Sequence, residues 1–240
     1  MPNKSIMVGA LEGKVPYTQI LQEFSLPLAA IGLVHRRGAR KYAAYSWLHD
    51  PEASNSTIWE NIDAMLRHMT AHSIGMIQDP EGLPHIYHMC CRAGMLVTTY
   101  LREQVPVPMD WFTGDIETID DESDPSFGCW ITPEEMLALA VYYNHKDYLY
   151  PYFDNDKVIP NLLQEHIYSL LLNCAMTYDR NNSWVEPKED IFDYPSVIED
   201  IFISTMIFAQ NYLKNHKYTT LVNNELLSED DKEYCELYLR

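Results

Sequence analysis

Apolar residues recur at i, i+3, i+4 and i+7 through most long segments of the chain, which fits the helical turn better than the two-residue alternation of a strand. The spacing predicts helices over 17–35, 56–74, 84–103, 133–146, 157–178, 195–215 and 228–238. Start signals support several of them. Thr57 stands three residues before Glu60, as in a capping box, and Ser56 offers an alternative cap. Thr132-Pro133-Glu134-Glu135 places an N-cap, a proline at the first helical position and first-turn acids in order. With only 9 glycines in 240 residues, the expected fold is all-α, a multi-helix bundle in two helical layers or halves.

Between Val105 and Trp130 the periodicity disappears. Pro106, Pro108 and Pro125 take over with the acids Asp115, Glu117, Asp120, Asp121, Glu122 and Asp124. The expected organisation is therefore a helical domain over 1–104, an acidic proline-containing linker or lid over 105–130, and a helical region over 131–240 packing on the first. A second irregular stretch, Asp179 to Pro195, reads as a long loop. His85-Ile86-Tyr87-His88 is echoed by His166-Ile167-Tyr168-Ser169, which chance explains about as well as duplication.

Composition narrows the possible functions. A hydrophobic content of 47% supplies a sizeable core. The formal charge of −18 repels polyanions, which argues against broad nucleic-acid binding. No apolar run approaches the roughly 20 residues of a membrane span, and Met1-Pro-Asn-Lys leads into no signal core. The five cysteines, Cys90, Cys91, Cys129, Cys174 and Cys235, form no CxxC pair and read as reduced core residues of a cytoplasmic protein.

The chemistry gathers between Arg36 and Arg92. Arg36, Arg37, Arg40 and Lys41 crowd a short stretch of a strongly acidic chain, around Gly38. Guanidinium forks and an ammonium there could clamp a phosphate-bearing molecule. The alternative is a solvated helix end, where basic groups suit the dipole and Gly38 stops the helix. On the next helix Ile58, Ile62, Met65, Leu66 and Met69 share a face, with His68 and His72 at its edge. Glu60 and Asp63, spaced to hold Mg²⁺, point away from that face and read more simply as a solvated acidic surface. On the helix after it, His85, His88 and Arg92 share one face among apolar neighbours, where polar groups are costly without partners. His85 and His88 could ligate one metal with His68 and a carboxylate, Asp79 or Glu81; each histidine taken alone is more simply a hydrogen-bonded core residue. His49-Asp50 is an H-D dipeptide without the rest of that pattern. No P-loop, Rossmann fingerprint or nucleophile elbow is present.

Taken together, Arg37-Gly38-Ala39-Arg40-Lys41-Tyr42 with Trp47, then Arg67-His68, then Asp79-Pro80-Glu81-Gly82-Leu83-Pro84-His85 and His88 resemble the phage-encoded dATP/dGTP diphosphohydrolase N-terminal domain family. That family is similar in turn to the MazG-like all-α nucleoside triphosphate pyrophosphohydrolases. The resemblance covers roughly residues 25–100. It implies a metal-dependent hydrolase that releases a deoxynucleoside monophosphate and pyrophosphate from a dATP- or dGTP-like substrate, usually as a homo-oligomer, in the host cytoplasm. Carried over by position, it places Gly38, Lys41, Tyr42 and Trp47 on the nucleotide side and Arg67, His68, Asp79, His85 and His88 on the metal and phosphate side. Arg36, Arg40 and Arg92 add charge to the substrate-binding set, and Tyr45 is a further surface on which the base could stack. The Asp79–Gly82 loop is one residue shorter than the family's D-P-E-S-G. The E-x-x-E acids of the wider superfamily are replaced by His85-x-x-His88, which shifts the expected cofactor from Mg²⁺ toward Mn²⁺, Co²⁺ or Zn²⁺. The competing reading is a protein on the same scaffold that sequesters a nucleotide or occupies a basic host protein without turnover. Glu199-Asp200 could reach a shared site from the second half but reads more simply as solvated.

Overall fold

The computed structural model describes residues 17–42, 47, 57–104, 131–149, 160–179, 183–184 and 197–240. Tyr45, His49-Asp50, Ser56, Cys129, the 105–130 linker and most of the 179–195 loop lie outside them. The elements are α1 (Tyr17–Glu23), α2 (Ser25–Tyr42), α3 (Ile58–Ser73), α4 (His85–Gln104), α5 (Pro133–Leu149), α6 (Pro160–Thr177), β1 (Tyr178–Asp179), β2 (Ser183–Trp184), α7 (Val197–Asn215), α8 (Tyr218–Leu221) and α9 (Glu229–Tyr238), with a 3-10 turn over Asn224–Leu226. The fold is all-α. Its β1–β2 ribbon is antiparallel and only two residues deep, in a stretch read from sequence as loop.

The caps form as the residues direct. Thr57 and Glu60 close a reciprocal capping box at the start of α3. At α5 the Glu135 backbone N–H donates to Thr132 Oγ1 at 3.1 Å, and the Thr132 N–H donates to Glu135 Oε2 at 2.8 Å. Ser228 accepts from Asp231 N to cap α9.

The first predicted helix differs in two ways. It is broken at Phe24, because Pro27 brings no N–H to an unbroken ladder and instead sits in the first turn of α2, while Leu26 N–H donates to Gln210 Oε1 on α7. It also runs on through Gly38 to Tyr42, so Gly38 is interior to a helix and does not end it.

Helix α4 is the axis of the fold and packs against α2, α3, α5 and α7. One core runs without interruption through Phe24, Ile31, Ile62, Met65, Tyr87, Leu139, Leu171, Phe202 and Phe208, joining helices from both sides of the 105–130 segment. Cys90, Cys91, Cys174 and Cys235 are buried. Among the described residues no helix is long and apolar enough to cross a membrane.

Candidate functional site

The site lies where α3 meets the start of α4, beside a tight turn that joins them. Asp79 organises that turn. Its N–H donates to Leu83 O at 2.8 Å, its carbonyl accepts from Gly82 N at 3.0 Å, and its Oδ1 accepts from both Glu81 N and Leu83 N at 2.9 Å. Gly82 completes the turn at φ +85°, a conformation few side chains tolerate. Oδ1 is thus occupied by backbone, and Oδ2 lies 2.9 Å from His88 Nε2. Burial alone would raise the Asp79 carboxyl, but His88 and the two backbone N–H groups hold it down at about 2.

From α3, His68 meets both α4 histidines. Its Nδ1 is 2.9 Å from His85 Nδ1, a contact in which one ring must donate and the other accept, and its ring stacks on that of His88 at 4.7 Å and 7°. Burial lowers the His68 pKa to about 3, with His88, His85 and Arg92 adding to the shift and Asp79 opposing it. Burial, then His88, lowers His85 as well. His85 Nε2 is buried with no hydrogen-bond partner. The predicted set of His68, Asp79, His85 and His88 is therefore brought together, as two imidazoles held neutral, a third beside a carboxylate, and that carboxylate ionised. The four engage one another in pairs: among the described residues no group of three or more His, Cys, Asp or Glu side chains is disposed to hold a metal ion.

Arg92, one turn beyond His88 on α4, is half-buried, and desolvation is the first cause lowering its pKa. Its guanidinium reaches Asn61 Oδ1 at 3.4 Å and Met95 Sδ at 3.7 Å, both neutral and both distant. Among the described residues no carboxylate lies within ion-pair distance of it; Arg67 adds a like charge nearby and Glu60 an opposite one from beyond that distance.

The basic segment is placed differently from a free clamp. Arg36 Nε is 3.4 Å and Arg40 2.7 Å from the two oxygens of Asp231, a buried carboxylate on α9, and Arg36 also approaches Asp230 at 3.8 Å. Arg37 donates to Glu81 O at 2.9 Å, and Lys41 pairs with the Glu81 carboxylate. Gly38 faces open space. Trp47 is buried against Cys91, Met95 and Val34 and stacks on His35, so its ring is packed inside, while Tyr42 is exposed. Arg67 pairs with Asp63 along α3, and Glu60 serves the capping box; the E-x-x-D acids are engaged locally. Asp200 lies 3.4 Å from His166 on α6, not at the histidine cluster.

Two neighbours of the site carried little signal in sequence. Asn61 is fully buried and meets Arg92. His72, one turn beyond His68, has a buried Nδ1 without a hydrogen-bond partner and packs edge-on against Tyr212 and Phe208 of α7. The i+4 spacing from His68 pointed to the first turn of such a face, but its α7 neighbours are remote in sequence.

Residues 9–105 match the family model described as dATP/dGTP diphosphohydrolase, N-terminal. The match covers less than half of the chain and includes the whole cluster just described. No curated protein and no solved structure matches the chain.

Proposed function

We propose, starting from that family match, that the protein hydrolyses deoxynucleoside triphosphates of the dATP or dGTP kind, releasing the monophosphate and pyrophosphate. The family description supplies the substrate class, and the observation that carries the reading is Arg92. A half-buried guanidinium whose hydrogen bonds go to neutral atoms, with no described carboxylate closer than the long-range field of Glu60 and a second arginine nearby, sits where a phosphate is the fitting counter-ion.

The donor types of His68, Asp79, His85 and His88, neutral imidazoles with an ionised carboxylate, are those a divalent transition-metal ion takes. As placed they engage one another in pairs, so these four would hold an ion only once the His68–His85 contact opened. Such an ion, when bound, would neutralise phosphate charge and acidify a water. The chain's own side chains do the rest. Arg92 orients the polyphosphate, and Asp79 fixes the His88 ring. In the hydrolysis one water adds its oxygen to phosphorus, the bridging oxygen leaves with pyrophosphate, and the proton released from the water passes to solvent.

The test is incubation of the full chain with each ribo- and deoxyribonucleoside triphosphate in Mg²⁺, Mn²⁺ and Co²⁺ separately, with products resolved by ion exchange. A purine deoxynucleoside monophosphate with matching pyrophosphate is the expected result. Triphosphates recovered intact under every metal would overturn the hydrolase and favour the nucleotide-sequestering alternative.

A further inference from the structure

The turn that carries Asp79 is held from outside by a segment remote in sequence. Gln78 Nε2 donates to Leu221 O at 2.8 Å, and Asn223 N–H donates to Gly82 O at 3.0 Å. A Cβ built on Gly82 would lie 3.1 Å from both Asn223 Cβ and Leu226 Cδ1 and 3.2 Å from Asn223 O, so the Leu221–Leu227 segment lies flat against the turn with no room to spare. On the other side Arg37 and Lys41 of α2 grip Glu81. The same α2 face holds Asp231 of α9 through Arg36 and Arg40, and Tyr234 donates to Ala29 O at 3.0 Å, which anchors the far end of the segment.

We infer that Leu221–Leu227 is a strap that positions Asp79 against His88, with the Asn223 N–H to Gly82 C=O bond as its contact point. The reason is geometric. Asp79 Oδ1 is committed to the backbone of its own turn, so the direction of Oδ2 toward His88 is set by where that turn sits. Leu83 anchors the end of the turn in the core, but at Gly82, with its positive φ and no side chain, the turn has nothing of its own to pack outward. The strap supplies the missing wall. Asn223 is thus a positioning residue, and this role rests on reading His68, Asp79, His85 and His88 as the reactive centre.

Asn223 allows a specific test, because its φ of −82° and the extended Val222 before it, at φ −106° and ψ 136°, both accept a proline. Asn223→Pro deletes the N–H that reaches Gly82. Asn223→Ala keeps that N–H while losing the side-chain cap on Glu225 N that both variants lack. Two readouts are taken on the full chain: the ring Nε2–H proton of His88, beside Asp79, by NMR, assigned by its loss in His88→Gln, and kcat against KM. Asn223→Pro is expected to shift or broaden the His88 proton and to lower kcat about tenfold with little change in KM, as the loss of one aligned contact implies; Asn223→Ala keeps both near wild type. A wild-type His88 signal and kcat in Asn223→Pro would overturn the inference. If that variant does not fold by circular dichroism, Gln78→Met, which removes the donor to Leu221 O at similar size, must show the same His88 change, and a wild-type signal there overturns it. Should the wild-type chain hydrolyse no triphosphate, the His88 proton alone decides, so failure of the hydrolase reading and failure of the strap remain distinguishable.

Discussion

The two oxygens of the Asp79 carboxylate are used differently, one by the backbone of its turn and one toward His88, and that division sets what substitutions should do. His85→Ala and His88→Ala should each lower turnover at least about a hundredfold, in the range of acid–base and metal-supporting groups, with the helical circular dichroism unchanged. Arg92 invites the opposite pattern. It pays for burial without a described carboxylate partner, so Arg92→Met should hold or gain stability, up to about 1 kcal/mol by thermal unfolding, while nucleotide affinity falls. A parallel loss of stability and affinity would show that Arg92 is structural. Glu135 is fully buried, and burial raises its pKa to about 8 from an ordinary value of 4.5. The folded state therefore keeps a proton that the unfolded chain releases, and the Glu135 contribution to stability falls as pH rises from about 4.5 to 8. Glu135→Gln should remove that slope, becoming more stable than wild type at the alkaline end of the window in denaturant titrations; an unchanged slope would sink the assignment.

Among the elements, α2 does the most joining. Its C-terminal turns present Arg36 and Arg40 to α9 and Arg37 and Lys41 to the Asp79 turn, so the basic cluster works as a double anchor. Asp231 is 1% exposed, and Asp231→Ala should cost on the order of 3 kcal/mol by removing the counter-charge of a buried arginine. The exposed Arg67–Asp63 pair on α3 should contribute under about 1 kcal/mol. Helices α4 and α5 meet at Gly94, where a Cβ would stand 1.9 Å from Glu135 Oε1. Gly94→Ala should then destabilise by about 1–3 kcal/mol, and much of that loss should vanish in a Glu135→Ala background, since the clash needs both side chains. Additive losses in the double mutant would show that the two sites do not meet.

For the whole molecule, the shared core predicts one cooperative transition. Helices α6 and α7 bury Leu171, Phe202 and Phe208 in the same cluster as Ile62 and Tyr87, so far-UV circular dichroism and tryptophan fluorescence should give coincident denaturant midpoints. Acid should destabilise the whole. Burial holds His35 at about 4 and His68 at about 3, with Arg92 lowering each further, against 6.5 when exposed. As pH drops below 6.5 the unfolded chain takes up protons that these folded rings refuse, and stability falls through that window.

The sequence by itself determined the helical class, the positions of most helices and the pairing of His85 with His88 on one helix face. These follow from local physics: 3.6-residue periodicity, caps such as Thr57 with Glu60, and i, i+3 spacing within a helix. The motifs within residues 25–100 also pointed to the family whose model matches 9–105. Only the tertiary structure decided that Trp47 is buried, that Arg36 and Arg40 face Asp231, and that Arg92 lacks a described carboxylate partner. It alone brought Leu221–Leu227 onto the Asp79 turn. Each of these is a pairing across many residues of chain, and a charge or an aromatic ring carries no local mark of whether its partner is a ligand, water or another helix until packing brings that helix to it.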